Sequence, residues 1–385
     1  MARLLLIVIY LAFIGLGLPD SVLGSAWPSM YRSLQVPLHY AGYISMIIAG
    51  GTVVSSIGSA KIIGRLGTGM VTTLSVLMTA AALVGFSFSH RFIALCLCAV
   101  PLGLGAGSVD VALNNYVALH YKARHMSWLH CFWGIGASLG PMIMSAFLLQ
   151  NHTWNSGYQT IGVIQVCLVL VLGLSLPLWK RTGVEPSSGK KSPLSFLRIL
   201  RIRGVAPALL AFFCYCGIET VTGLWGSSYL VTVKHISPEI AVRWMAIYYM
   251  GITSGRFMSG FATLKLSNRC MIRLGQGLMA LGIILLLLPW GNGTLLPGFF
   301  MIGLGCAPIY PSLLHETPKN FGEAHSQVII GIQMASAYIG TTLMPPLFGR
   351  LASYLSFSLF PLFIGSLLTV KIIMVKTLNR SVDSP

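Results

Sequence analysis

Residues Pro101–Val117 read PLGLGAGSVDVALNNYV and lie inside an apolar run from Phe92 to about Leu119. A helix that crosses a bilayer needs about 20 apolar residues, and this run has them. Near its middle it carries Asp110 and Asn114. Gly103, Gly107, Asp110 and Asn114 recur at i, i+4, i+7 and i+11, so on a helix they share one face. An aspartate at mid-membrane costs about 2.5–3.5 kcal/mol on insertion scales. A polar site or a water-filled cavity offsets that cost, and lipid does not. The stretch therefore predicts a helix that lines a substrate path through a membrane.

The rest of the composition agrees. Of 385 residues, 55% are hydrophobic and only 9% charged, with a mean hydropathy of +0.80. A soluble chain carries about 25% charged residues. Twelve apolar spans are expected, at roughly 4–28, 39–61, 70–88, 92–119, 127–149, 158–179, 205–233, 240–262, 272–290, 294–315, 327–349 and 353–375. The first has the outline of a signal peptide, Arg3 followed by an apolar run. Asp20 within it, and the even span count, read it instead as the first crossing. The net charge of +17 is spread along the chain rather than gathered on one face, which excludes nucleic acid as a partner. With the N-terminus inside, 19 of the 25 Lys and Arg flank the inner ends of the spans, 5 flank the outer ends, and Arg256 falls within a span. That asymmetry predicts cytoplasmic termini in a multi-pass protein of the cell membrane, inner or plasma. The eight cysteines show no redox or zinc spacing.

The chain also repeats itself at an offset of about 200 residues. Asp20-Ser21-Val22-Leu23-Gly24 matches Glu219-Thr220-Val221-Thr222-Gly223, and Gly103-Leu104-Gly105 matches Gly303-Leu304-Gly305. Ala137, Gly140 and Met144 match Ala337, Gly340 and Met344. The organisation expected is an N-terminal six-helix bundle over 1–180, a basic cytoplasmic linker over 181–204, and a C-terminal six-helix bundle over 205–385. Two halves in the same orientation are the outer symmetry of the major facilitator architecture. There, sites lie at mid-depth between the halves, and access alternates as one half rocks on the other.

Candidate site residues follow from polar groups at mid-span. Leu18-Pro19-Asp20 predicts a kink, with freed carbonyls beside an acid. His130 either bonds a substrate hydroxyl, shares a proton with Asp110, or sits hydrated at a helix end. Span 7 holds Glu219, Trp225 and Tyr229; Tyr229 fits an interfacial belt, and Trp225 is the better candidate to stack on a substrate ring. Arg256 is expected to pair with an acid, to cap a gate or to snorkel to the surface, gating being preferred. Tyr310 is the repeat partner of Asp110 and Gln333 that of Trp133. Gln333 either binds substrate or bonds a neighbouring helix. Lys61-Ile-Ile-Gly64-Arg65-Leu-Gly67 resembles the superfamily's short basic loop, and Arg65 is assigned to gating on that basis. Gly136-Ala-Ser-Leu-Gly140-Pro141 resembles a signature of proton-driven exporters, but its small-residue spacing reads first as helix packing.

Taken together, these residues resemble the fucose permease-like branch of the major facilitator superfamily, the sugar–proton symporters. Gly107-Ser-Val-Asp110-Val-Ala-Leu-Asn114-Asn-Tyr-Val117 is similar to the branch's G-x-x-E-x-x-x-N-x-x-V, with Asp in place of Glu. Cys216-Gly-Ile-Glu219-Thr220 is similar to its G-I-E-T run, and Pro19-Asp20-Ser21 falls where the fucose permease has an Asn-Asp pair. The resemblance implies Asp110 as the proton-coupling carboxylate, with Asp20 and Glu219 in supporting roles. It places Asp20 beside the sugar, with Asn114 contacting substrate or organising Asp110; with the residues read above, the candidate substrate site is Asp20, Asn114, His130, Trp133, Glu219, Trp225, Tyr310 and Gln333. His130 and Trp133 stand where the fucose permease has glutamine and asparagine. The function expected is proton-coupled uptake of a monosaccharide or similar polyol by a monomer in the lipid bilayer. No cofactor is expected, and the coupling ion is H⁺ or Na⁺. The rival is a proton-driven exporter of small amphipathic compounds. No nucleophile–base pair or metal-ligand cluster suggests an enzyme.

Overall fold

The computed structural model describes residues 2–121, 123–179, 202–263 and 265–383. The expected linker 181–204 therefore lies outside the described residues, apart from its last three positions. Fourteen α-helices form among the described residues. The first crossing is built from α1 (Ala2–Asp20) and α2 (Val22–Ser33). Then come α3 (Ala41–Leu66), α4 (Thr68–Ser87), α5 (Phe92–His120), α6 (Ala123–Leu149) and α7 (Trp154–Ser175). The second half opens with α8 (Val205–Thr232), α9 (Pro238–Ala262) and α10 (Asn268–Leu287). Its tenth crossing is split into α11 (Leu295–Cys306) and α12 (Ile309–Phe321), followed by α13 (Glu323–Tyr354) and α14 (Phe360–Asp383). Among the described residues, ten stretches are long and apolar enough to cross a membrane by length and composition. Helices α9, of 25 residues, and α13, of 32, are long enough to complete the twelve.

Proline explains both split crossings. Pro19 has no N–H to give to the carbonyl of Gly15, four residues back. That carbonyl accepts a hydrogen bond from buried Gln165 of α7 instead, so the bend in the first crossing is satisfied within the protein. The tenth crossing breaks where Pro308 and Pro311 fall close together.

The sequence repeat is a repeat of contacts. Gly103 of α5 lies on the backbone of Ile48 in α3, and Gly303 of α11 lies on the backbone of Tyr248 in α9. Gly105 meets the Ser75 carbonyl of α4, and Gly305 meets the Gly275 carbonyl of α10. Any side chain at these four positions would collide with the neighbouring helix, so glycine sets the interhelical distance. Helix pairs recur accordingly: α3 with α5 and α4 with α5 in the first half, α9 with α11 and α10 with α11 in the second.

The two halves meet along α2 with α8, α3 with α13, and α6 with α9. The closest approaches gather at the end of the bundle away from the termini. Gly24 abuts Gly223 and Leu224, and Gly42 abuts Pro346. Ser227 donates to the Ser25 carbonyl at 2.9 Å, and Ser145 to the Glu239 carbonyl at 2.9 Å. That end is closed.

One charge departs from the sequence reading. The charge tally places Lys371 with the inner face, but the structure buries it completely, midway along α14. Its Nζ has no hydrogen-bond partner among the described residues. Desolvating an ammonium without an acceptor is costly. Lys371→Met, of similar volume, is expected to raise the thermal midpoint of the detergent-solubilised protein by a few degrees. A lower midpoint would reveal a partner that the amine needs. At the closed end, Gly24→Leu is expected to wedge α2 from α8. Its readout is labelling of Cys216, as the only cysteine retained, by a membrane-impermeant thiol reagent applied from that end. Labelling should rise several-fold, and unchanged labelling would show that the α2–α8 seam is not the seal.

Candidate substrate site

Between the halves lies a cavity of about 690 Å³. It runs from mid-depth towards the face that carries both termini, where Thr263, Asn268 and His315 line it. Its deep end holds Asp20 of α1, Asp110 of α5, His130 and Trp133 of α6, Glu219 of α8, Arg256 of α9 and Tyr310 of α12. The structure thus brings together seven of the eleven residues singled out in the sequence.

Helix α5 combines packing and lining in a single stripe. Gly103 and Gly107, at its upper end, pack against Ile48, Thr52 and Ser55 of α3. One turn below Gly107, Asp110 faces the cavity. Of the predicted polar face, Asp110 alone lines the cavity. Asn114 is not among the lining residues. Its Nδ2 donates to Asp110 Oδ1 at 2.8 Å and to the Asp110 carbonyl at 2.9 Å. Asn114 fixes the carboxylate rather than touching a substrate in this conformation.

The other polar groups form one chain across the two halves. Trp133 Nε1 donates to Asp20 Oδ2 at 2.8 Å. The Arg256 guanidinium carbon lies 4.7 Å from the Trp133 ring centroid, a cation–π contact between α9 and α6. Arg256 Nη2 is 3.6 Å from Glu219 Oε1. Tyr215, one turn before Glu219, donates its hydroxyl to Glu219 Oε2. The Tyr248 hydroxyl donates to the Glu219 carbonyl at 3.1 Å. Arg256, placed by preference at a gate, instead bridges an aromatic of one half and an acid of its own half, with about 20% of its side chain exposed.

Four residues read in the sequence lie away from the cavity lining. Trp225 is fully buried. Its Nε1 donates to the Pro345 carbonyl at 2.8 Å, and its ring packs on Phe348 and Phe357. It therefore has no face left to stack on a substrate. Gln333 is 2% exposed, and its Oε1 accepts from the Thr317 hydroxyl at 2.9 Å, tying α13 to α12. Arg65 is exposed at the end of α3, away from the cavity lining. Tyr229, read as a belt residue, is buried, and its hydroxyl donates to the Leu286 carbonyl at 3.3 Å.

The cavity also uses residues the sequence did not single out. Thr52, Tyr215, Cys216, Met334, Tyr338 and Thr341 line it. Met334, Ala337, Tyr338 and Thr341 recur at i, i+3, i+4 and i+7, a helical stripe that periodicity could have found. Tyr215 lies four residues before Glu219, the spacing at which a phenol reaches an acid on one helix face. Its hydroxyl has a partner, and Tyr310 likewise donates to Met334 Sδ at 3.0 Å. The donors still open to a ligand are thus limited in number and set by these bonds.

Comparisons with known proteins agree with this architecture. The family model of the Major Facilitator Superfamily matches residues 9–314. The glucose/mannose transporter GlcP of Bacillus subtilis is 26% identical over 261 residues, covering 63% of this chain and 62% of that protein. The Bypass of stop codon protein 6 of Saccharomyces cerevisiae is 23% identical over 290 residues, covering 68% of this chain and 58% of that protein. The chain's matches thus span about six tenths of the length of each of these relatives. The crystal structure of a point mutant of the nucleoside transporter NupG superposes with a TM-score of 0.81 at 13% identity, covering 96% of this chain and 98% of that one. At that identity the likeness shows the fold alone. With the family model spanning most of its length and an all-helical bundle open between two repeated halves, this chain belongs to the Major Facilitator Superfamily.

Proposed function

We propose that the protein carries a monosaccharide or similar polyol into the cell together with a proton. It works as a monomer in the cell membrane, inner or plasma, with both termini in the cytoplasm. The halves are 1–180 and 205–385, joined by a linker over 181–204. On this reading the cavity faces the cytoplasm, and the chain falls within the fucose permease-like branch. The observation that carries the proposal is the polar chain Asp20–Trp133–Arg256–Glu219, which crosses from one half to the other at mid-depth beside Asp110. A neutral, hydroxyl-rich solute uses such a site well. Its hydroxyls meet carboxylates, tyrosines and threonines, and its apolar ring face meets an aromatic. The name of the Bacillus relative, a glucose/mannose transporter, supports the sugar class.

Asp110 is the coupling group in this scheme. It is the one cavity carboxylate whose partner, Asn114, is neutral and lies on its own helix. A proton taken up from outside removes the cost of enclosing a charge and lets the loaded carrier close and reopen inward. Asp20 and Glu219 are answered differently, by an indole N–H and by an arginine with a tyrosine. They hold the substrate and the two halves in register.

The decisive experiment is proton movement in a weakly buffered suspension of proteoliposomes, across hexoses, deoxyhexoses and N-acetyl hexosamines. External alkalinisation on adding one sugar is expected, and its loss in Asp110→Asn. That variant should still exchange labelled sugar across the membrane without accumulating it; accumulation against a gradient would remove Asp110 from the coupling role. No pH change with any sugar, alongside uptake driven by a Na⁺ gradient, would assign sodium as the coupling ion. No response to either ion would turn the reading towards export. Independently, Glu219→Gln should lower the thermal midpoint, because it leaves Arg256 without its acid. Part of that loss should return in Glu219→Gln with Arg256→Gln.

A further inference from the structure

Trp133 offers two surfaces to the cavity, and both are engaged. Its edge N–H is bound to Asp20 at 2.8 Å, and one ring face carries the Arg256 guanidinium at 4.7 Å. Arg256 is meanwhile 3.6 Å from Glu219, well beyond the roughly 2.7–2.9 Å of a charge-assisted hydrogen bond. The guanidinium is thus held between two partners and fully seated on neither. Glu219 does not move to meet it, because Tyr215 holds the carboxylate and Tyr248 the backbone carbonyl. The free element is the arginine side chain, which has rotamers to spare and an acid within reach.

Within the sugar-carrier reading above, we infer that Arg256 is a built-in competitor for the substrate. Its guanidinium covers the Trp133 face that a pyranose ring needs. Loading displaces it from the indole onto Glu219, where it closes to hydrogen-bonding distance. The displacement has two effects. It gives the substrate its aromatic platform, and it breaks a contact that ties α9 of one half to α6 of the other. The empty carrier, with Arg256 on Trp133, holds the halves together. The loaded carrier replaces that tie with the substrate itself. Trp133, rather than the buried Trp225, is the ring platform, and Arg256 sets the concentration at which the platform becomes available.

The test uses the full-length protein in liposomes, with exchange of labelled D-glucose and D-mannose measured as half-saturation concentration and maximum rate. Removing the guanidinium in Arg256→Gln frees the ring face. The half-saturation concentration should fall about 3- to 30-fold, the scale of a cation–π contact in a partly desolvated site. Trp133→Leu should raise it. In the Trp133→Leu background, Arg256→Gln should bring no further decrease, since the face to be uncovered is gone. A purely structural arginine would behave otherwise. Its loss would lower the thermal midpoint and maximum rate while leaving the half-saturation concentration unchanged or raised, and that result overturns the competitor role. So would equal decreases from Arg256→Gln with and without Trp133. If the parent protein exchanges no hexose, the sugar reading and the competitor role fall together. Exchange in the parent with no gain in Arg256→Gln removes the competitor role alone.

Discussion

Charge in a low-dielectric layer has to be answered by something, and here the three cavity carboxylates are answered in three different ways. Asp110 is met by an amide on its own helix, Asp20 by an indole N–H from a neighbouring helix, and Glu219 by an arginine and a tyrosine. Much of the architecture follows from providing these partners at one depth. The first crossing bends so that Asp20 ends a helix at the cavity. Helix α5 packs its glycines on α3 and presents Asp110 to the cavity one turn later. Helices α8 and α9 run side by side so that Tyr248 and Arg256 reach Glu219. Apolar packing supplies the stability, and the acids set where that packing stops.

The two-fold repeat makes this arrangement economical without making it symmetric. Glycine contacts recur at the same offset in both halves, so α3–α5 and α9–α11 are the same joint built twice. The polar residues do not recur in kind. Asp110 corresponds to Tyr310, and Trp133 to Gln333. The scaffold is shared, and the chemistry is divided: two carboxylates and the aromatic face in the first half, one carboxylate with its arginine in the second. A site that must be sensed by both halves is well served by unlike walls, because a ligand then has a distinct contact to lose on each side as they part.

Much of this was legible in the sequence because composition and spacing govern it directly. Span length, the glycine stripe of α5, the bend at Pro19 and the repeat depend on local rules. Asp20, Asp110 and Glu219 were legible because an acid in an apolar span has so few tolerable places. Trp225 and Gln333 were not, for a common physical reason. Aromatic and amide groups in a span are satisfied equally by a cavity or by a neighbouring helix. Which one they meet depends on helix rotation, and a sequence without sharp amphipathicity does not specify it. Trp225 found the carbonyl of Pro345, and Gln333 found Thr317. Tyr215 escaped notice because a tyrosine in a span usually marks an interface.

The bond from Gln165 to the Gly15 carbonyl carries a mechanical meaning. A proline bend left to itself is a soft joint, and a carboxylate at its tip would wander with it. Pinned by an amide from α7, the bend becomes a rigid elbow. Asp20 is then carried as a fixed point of the first half, so any rotation of that half moves its carboxylate through the full arc, with no slack taken up in the helix.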